Sequence, residues 1–484
     1  MWVFRGVPYA QVTGPQGRWR AAQPPTAWTG TRLASSWGPI APQTPPVPGF
    51  SFPHDPTGSD EDCLNLNVWT PALDDGRRPV MVWLHGGGFT TGTGSSALFA
   101  GGRLASKGVV VVTINYRLGA LGLLTHPDLA SPDDAGGGNW SLRDQIAALG
   151  WVKENIAGFG GDPDNVTLFG ESAGAMSVGT LLGTPAAAGL FAKAIAQSGA
   201  AHNVSSADDA AAVTDAFLAE LGGDGLEALL AATPERLLEV QQQVAQAMLG
   251  GRLRRRARSA SNLPFGPVID GAVLPRHPYE AIRDGSAASV PLLTGTNRDE
   301  WNLFVLLDRS VDDAETLIRR VGRIVERPEA LVAAYRAARD QDSHDELFKA
   351  VMTDGVFRVP AIRMAEAQAA HQPEHTFMYL FEYASTVFDG RLGSAHALEI
   401  PFVFDNLDRT GVELLTGPDP PQSVADAMHR AWISFARTGS PAHDGLPDWP
   451  PYNRADRVTM GIGTPCHLER DPAGAERLAW SDLL

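Results

Sequence analysis

Asn165-Val-Thr-Leu-Phe169, running directly into Gly170-Glu171-Ser172-Ala173-Gly174, is the stretch that decides the fold. Five residues of strand character meet a G-x-S-x-G turn, and the small residues from Ala173 onward can start a helix. A serine on so sharp a strand-to-helix turn is lifted to the rim of a sheet, and small neighbours let other backbone pass close beside it. The motif alone is weak, because glycine and serine are common. Its place after an apolar strand makes it specific.

Outward from this turn the pattern repeats. Pro79-Val-Met-Val-Trp-Leu84 and Val109-Val-Val-Val-Thr-Ile114 are short continuous apolar runs closed by Gly- or Asn-containing turns. Such runs suit strands buried on both faces of a mostly parallel sheet. Leu142, Ile146, Leu149 and Val152 recur at helical spacing and predict a helix over 142–156. Strand-like runs return at 192–196, 290–294 and 376–383. Strands alternating with helices predict an α/β fold, a large sheet flanked by helices on both sides. Residues 1–60, rich in Pro, Gly and Trp, read as loops and short strands. The segments at about 205–262 and 310–370 read as helical insertions within a single catalytic domain spanning 1–484.

Composition narrows the chemistry. The chain has 484 residues, 39 Lys+Arg and 55 Asp+Glu, a net charge of −16 that argues against nucleic acid or an anionic membrane as partner. Cys63 and Cys466 are the only two cysteines, too few for a disulfide scaffold or a Cys-rich metal site. No apolar run approaches the roughly 20 residues of a membrane span. Met1-Trp-Val-Phe-Arg-Gly6 lacks the regions of a secretion signal, so a cytoplasmic protein is expected.

A serine hydroxyl is almost un-ionised at neutral pH, so it needs a neighbouring base, and the base needs an orienting acid. On a sheet of this kind the chain order is serine, acid, histidine. Asp299 and Glu300 follow the strand at 290–294, and His396 follows that at 376–383. Both positions lie beyond carboxyl ends of strands, where open parallel sheets hold ligands. That edge selects His396, because His371 and His375 precede their strand, His429 sits in a helical stretch and His202 comes before the acid. His85-Gly-Gly-Gly-Phe89, after the strand at 79–84, offers unobstructed amides to a developing oxyanion, which the Ala173 amide can complete. His85 itself reads as structural. This constellation predicts acyl transfer through serine with no cofactor and no metal. Since the base must be neutral, activity is expected to fall on acidification through about pH 6–7.

At these residues the chain resembles the type-B carboxylesterase/lipase family, which includes bacterial p-nitrobenzyl esterases and cholinesterases. The resemblance runs through Phe4-Arg-Gly-Val-Pro-Tyr-Ala10, Glu61-Asp-Cys-Leu-Asn-Leu-Asn67, the glycine loop and Asn115-Tyr-Arg-Leu-Gly119. It continues through residues 158–174, Gln197-Ser-Gly199, Asn297-Arg-Asp-Glu300 and residues 396–404. It implies an α/β-hydrolase fold with helical insertions around an active-site gorge, and a serine carboxylesterase acting on a small-molecule ester. It further implies Ser172 as nucleophile, Glu300 rather than Asp299 as acid, His396 as base, and Gly87, Gly88 and Ala173 as oxyanion donors. Two ion pairs are also implied, Arg5 with Glu61 and Arg117 with Asp144. Ala41 stands where secreted members carry the cysteine that pairs with the one matching Cys63, so a free thiol is expected there. The leading β-hairpin of the family is expected to be short or missing.

Glu171 is read either as tuning the field near the histidine or as a hydrogen-bonding support behind it, and Ser198 either as sharing that buried network or as standing outside it, with Phe89, Trp301 and Phe402 as pocket walls. Arg252, Arg254, Arg255, Arg256 and Arg258 read as a solvated basic face, and Asp162 and Asp164 as a turn before a strand. The same mechanism would serve a carbamate, amide or thioester, and a non-catalytic binding protein on this fold is the rival from another class.

Overall fold

The computed structural model describes residues 1–484 except 13, 15–16, 45–57, 131–135, 224, 250–262, 307–310, 341–342 and 484. The basic cluster at 252–258 lies outside the described residues. Ten strands form one sheet: β1 (Trp2–Pro8), β2 (Asn65–Thr70), β3 (Arg78–Leu84), β4 (Val110–Ile114), β5 (Gly161–Glu171), β6 (Lys193–Gln197), β7 (Leu292–Asn297), β8 (Thr376–Phe381), β9 (Val458–Ile462) and β10 (His467–Arg470). Their order is β1-β2-β4-β3-β5-β6-β7-β8-β9-β10. From β4 to β9 neighbours run parallel, while β1, β2 and β10 pair antiparallel at the two edges.

Alternation along the apolar runs explains why both faces are covered. Val80, Val82 and Leu84 point into one core with Val110, Val112 and Leu168. Met81 and Trp83 point into the other with Val111, Phe169 and Phe404. Trp83 is fully buried, its ring 4.8 Å from that of Phe169 and 5.1 Å from those of Phe99 and Phe404. Removing 150–250 Å² of such a side chain from water contributes roughly 4–6 kcal/mol before entropy is counted.

The helix Trp140–Asn155 covers the sheet as the spacing predicts, beginning two residues earlier. The helices Ala207–Leu221, Gly225–Ala231 and Pro234–Leu249 follow β6. Ala314–Val321, Pro328–Arg339, His344–Thr353 and Val359–Ala369 follow β7, with a π-helical turn at Asp354–Arg358 joining the last two. These helices bury a third core that includes Phe89, Ala173, Met176, Phe217, Tyr335, Phe357 and Trp480, and so they sit over the serine turn. Among the described residues no helix is long and apolar enough to cross a membrane.

Of the two expected ion pairs, one is present and one is not. Arg117 Nη2 lies 2.6 Å from Asp144 Oδ1, both side chains buried. Glu61 instead pairs with Arg18, whose Nη2 donates to Glu61 Oε1 at 2.6 Å and whose Nη1 donates to the Ala232 carbonyl at 2.6 Å. Arg5 is turned away from Glu61 and lies over the Trp37 ring at 4.6 Å. Arg5 is half-buried on the edge strand and rests on a neutral ring face, and the acid goes to the arginine that is buried.

Candidate active site

Ser172 directly follows β5 and caps the helix Ala173–Leu182, with φ 56° and ψ −125°, a conformation that costs a non-glycine residue about 1–3 kcal/mol. Its surroundings hold it there. Ser172 N donates to the Gln197 carbonyl at 2.9 Å, and its own carbonyl accepts from Met176 N at 2.8 Å. Gly174 presses so closely on β3 that a Cβ there would lie 2.0 Å from the Leu84 carbonyl oxygen. Phe89, Ser198 and Ala397, from the neighbouring loops, share the positive φ of Ser172, at 61°, 53° and 66°.

The glycine loop folds beside it. Gly87 has φ +113°, and a Cβ there would meet the Thr91 carbonyl oxygen at 2.2 Å, so only glycine fits. His85 Nδ1 sits 2.9 Å from the Gly86 carbonyl oxygen, and its ring stacks on Tyr116 at 4.4 Å. Burial pushes His85 down to about 4, so it stays neutral and shapes the loop, as its sequence context predicts. The amides of Gly87, Gly88 and Ala173 donate to no acceptor among the described residues.

The acid and the histidine come from the loops after β7 and β8. His396 Nδ1 lies 2.6 Å from Glu300 Oε2, with both side chains buried. Glu300 Oε1 in turn accepts from Asn297 N at 2.7 Å. Adjacent Asp299 does other work, accepting from Ser394 N at 2.9 Å and pairing with Arg298. Geometry thus separates two acids that spacing leaves equivalent. The other imidazole nitrogen, Nε2, is 3.1 Å from Glu171 Oε1, the carboxylate of the residue before Ser172. Among the described residues no hydrogen bond yet joins Ser172 Oγ to His396; Nε2 faces Glu171 instead. Catalytic contacts of this kind often tighten only when substrate binds.

Three buried carboxylates surround this imidazole. Burial pushes Glu171 up to about 8, against the pull of His396. Burial would lower His396, but Glu171 and then Glu300 outweigh it and hold the imidazole up to about 9. This moves the expected loss of the base on acidification above the ordinary imidazole range of pH 6–7. Glu399, which sequence reasoning missed, accepts from Asn297 Nδ2 at 2.6 Å and from Gln197 Nε2 at 3.1 Å, and burial raises it as well. It belongs to the scaffold that fixes Asn297 and thereby Glu300. Its one sequence signal is a charge inside the otherwise apolar stretch Ala397-Leu-Glu-Ile-Pro-Phe-Val403.

The remaining positions are distributed unevenly. Ser198 is buried beside the serine turn, but its hydroxyl has no direct hydrogen-bond partner among the described residues. Trp301 stands at the site, its ring 4.7 Å from Phe304 and 6.4 Å from Phe357. Phe304 and Phe357 pack on His396 itself, at 5.2 and 4.6 Å. Phe402 is not a pocket wall: it is fully buried against Phe381 and Tyr383, because the turn Ile400–Val403 directs it into the sheet core. Phe89 likewise is 1% exposed, enclosed in the helical core. His429 Nδ1 donates to the Val403 carbonyl at 2.8 Å, and His202 packs on Tyr279, both away from the serine. Asp162 and Asp164 pair with Arg77 and Lys153 at 2.7 Å, and they lie in the first residues of β5 itself rather than in a turn before it, because the strand pairing with Arg78 begins at Gly161.

A strained serine thrust from the carboxyl edge of such a sheet defines the class: this is a serine hydrolase on an α/β-hydrolase fold, and its reaction is hydrolysis of carboxylic esters. Comparison with known proteins makes the kinship specific. The model of the carboxylesterase family matches residues 1–478, and the chain belongs to that family. It is 40% identical over 480 residues to para-nitrobenzyl esterase of Bacillus subtilis (strain 168), covering 98% of this chain and 94% of that one. Phenmedipham hydrolase of Pseudarthrobacter oxydans is 40% identical over 481 residues, 96% of this chain and 92% of that one. Among solved structures, a Geobacillus stearothermophilus carboxylesterase superposes with a TM-score of 0.86 at 40% identity, covering 99% of this chain and 96% of that one.

Proposed function

We propose that Ser172, His396 and Glu300 are the nucleophile, base and orienting acid of this esterase, and that the amides of Gly87, Gly88 and Ala173 form its oxyanion hole. The observation that carries the reading is the buried 2.6 Å contact between His396 Nδ1 and Glu300 Oε2, beside a serine held at φ 56°. His396 Nε2 swings from Glu171 to Ser172 Oγ and takes its proton as the hydroxyl attacks the ester carbonyl. Three free amides then receive the charge that develops on the carbonyl oxygen. The alcohol leaves with the proton from His396, and water repeats the sequence to release the acid. Glu300 keeps the imidazole in one tautomer and stabilises its protonated form.

Trp301, Phe304 and Phe357 support small esters with a flat aromatic group as the preferred class, in keeping with the name of the Bacillus relative. The helices after β6 and β7 are read as insertions in one catalytic domain. Cys63 and Cys466 are both free thiols, which supports a cytoplasmic, reducing setting.

Ser172→Ala tests the assignment. Turnover of p-nitrobenzyl and p-nitrophenyl acetates should fall on the order of 10⁴-fold or more with the circular dichroism spectrum unchanged. Near-native turnover by that variant would overturn it.

A further inference from the structure

At the far edge of the sheet, Glu382, His467 and Glu469 converge: one ligand atom from each lies within 4.8 Å of the other two. We propose that these side chains form a binding site for a divalent transition-metal cation of the Zn²⁺ type, outside the ester chemistry.

The strand register builds the site. His467 and Glu469 are two apart on β10, so they project from the same face. Glu382 directly follows β8, on the other side of β9. Between them, His467 pairs with Gly461 of β9, and the missing side chain opens the way across. A Cβ at Gly461 would sit 2.6 Å from His467 Cε1 and 2.8 Å from Glu382 Oε2. The imidazole therefore leans over β9, and its Nδ1 lies 3.6 Å from Glu382 Oε2.

Charged residues on an edge strand ordinarily discourage pairing with other chains. That role asks side chains to fan out into solvent, not to close on one point through a gap left by glycine. Among the described residues the 3.6 Å approach of His467 to Glu382 joins two of the three groups and leaves the third unaccounted for. The Glu469 carboxylate takes part in no hydrogen bond or ion pair among the described residues, its backbone pairing with Thr459 of β9. Arg298 is near enough to feel Glu382, but its guanidinium is held by Asp299 at 2.9 Å. Cys466, one residue before His467, packs against the core instead.

One imidazole nitrogen and two carboxylate oxygens suit Zn²⁺, Co²⁺ or Mn²⁺ better than Ca²⁺, which prefers six to eight oxygens. Ligand atoms about 2.0–2.2 Å from one ion lie roughly 3–4 Å apart, so small side-chain rotations close the site and leave its outer positions to water. Glu382 follows Phe381, whose carbonyl accepts from Ser394 Oγ at 2.7 Å and from Arg298 N at 2.9 Å. An ion here would thus fasten β10 to the end of β8, from which the His396 loop hangs and to which Arg298 N of the Glu300 loop is bonded.

The test is calorimetric titration of the full-length protein, stripped with chelator, with ZnCl₂, alongside CaCl₂. The wild type should bind one Zn²⁺ per chain, and His467→Ala and Glu469→Gln should each weaken that binding on the order of tenfold or more. Both substituted positions are exposed, and the melting temperatures without metal serve as the folding control. Zn²⁺ should raise the melting temperature of the wild type but not of His467→Ala. No binding by the wild type, equal binding by His467→Ala, or Ca²⁺ binding as tight as Zn²⁺ would each overturn the proposal.

Discussion

Glu171→Gln removes a charge from beside the His396 imidazole while preserving side-chain volume. Glu171 Oε1 lies 3.1 Å from His396 Nε2, and both side chains are buried. Opposite unit charges about 4 Å apart interact by about 4 kcal/mol at an effective dielectric of about 20. Not all of that is lost in the variant, because Glu171, pushed up to about 8, is itself partly protonated near neutrality, and Glu300 remains. A loss of about 1.5–3 kcal/mol is expected, or roughly 1–2 pH units at 1.36 kcal/mol per unit. The sign follows from His396 being raised to about 9: its protonated form is inactive as a base and predominates below that value. Activity therefore climbs as pH rises through it, and removing an anion that favours the imidazolium moves the climb to lower pH. The assay is kcat/KM for p-nitrophenyl acetate from about pH 5 to about pH 10, read at a wavelength where both forms of the product absorb equally. An acid limb that stays in place or moves upward in the folded variant would refute this electrostatic account.

Three further outcomes are expected. Arg18→Ala should lose about 3 kcal/mol in urea denaturation, because it strands Glu61 and the Ala232 carbonyl, whereas Arg5→Ala should lose less than about 1 kcal/mol. Gly174→Ala places a Cβ 2.0 Å from the Leu84 carbonyl oxygen and should abolish soluble folded protein. Gly88→Ala meets nothing nearer than 3.7 Å and should fold at a cost of about 1 kcal/mol, the difference appearing in expression and thermal melts. Phe357→Ala removes a ring 4.6 Å from His396; it should cost about 3–5 kcal/mol and raise the preference for longer acyl chains, as a panel of p-nitrophenyl esters of increasing length would read.

The inner strands were legible because each is apolar on both faces: Val80 to Leu84 serves two cores at once and leaves a continuous run. β10 left no such signal, since His467, Leu468, Glu469 and Arg470 are all exposed. The serine was readable from its turn, and His396 from chain order and sheet edge. Asp299 and Glu300 could not be separated by spacing, because one residue's difference in a loop is decided by where Ser394 and the imidazole happen to approach. Arg5 and Arg18 show the same limit: both are arginines near the start, and only the packing of Arg18 under Ala232 decides which one Glu61 meets. Phe402 was misplaced because a single helical turn determines whether a ring faces the site or the core. Phe357 was missed because its position depends on an irregular turn.

That turn, Asp354–Arg358, stores one residue more than a regular helix would hold, and its Arg358 reaches both Asp354 at 2.7 Å and Glu476 near the chain's end at 3.0 Å. Deleting a residue there would do more than shorten a helix, since each residue lost rotates everything beyond it by about 100°. Phe357 would swing off the imidazole while the ten strands and the serine beneath them stayed put. A single-codon deletion or insertion in that turn would therefore rebuild the aromatic wall beside His396 while leaving in place the strand that leads into Ser172.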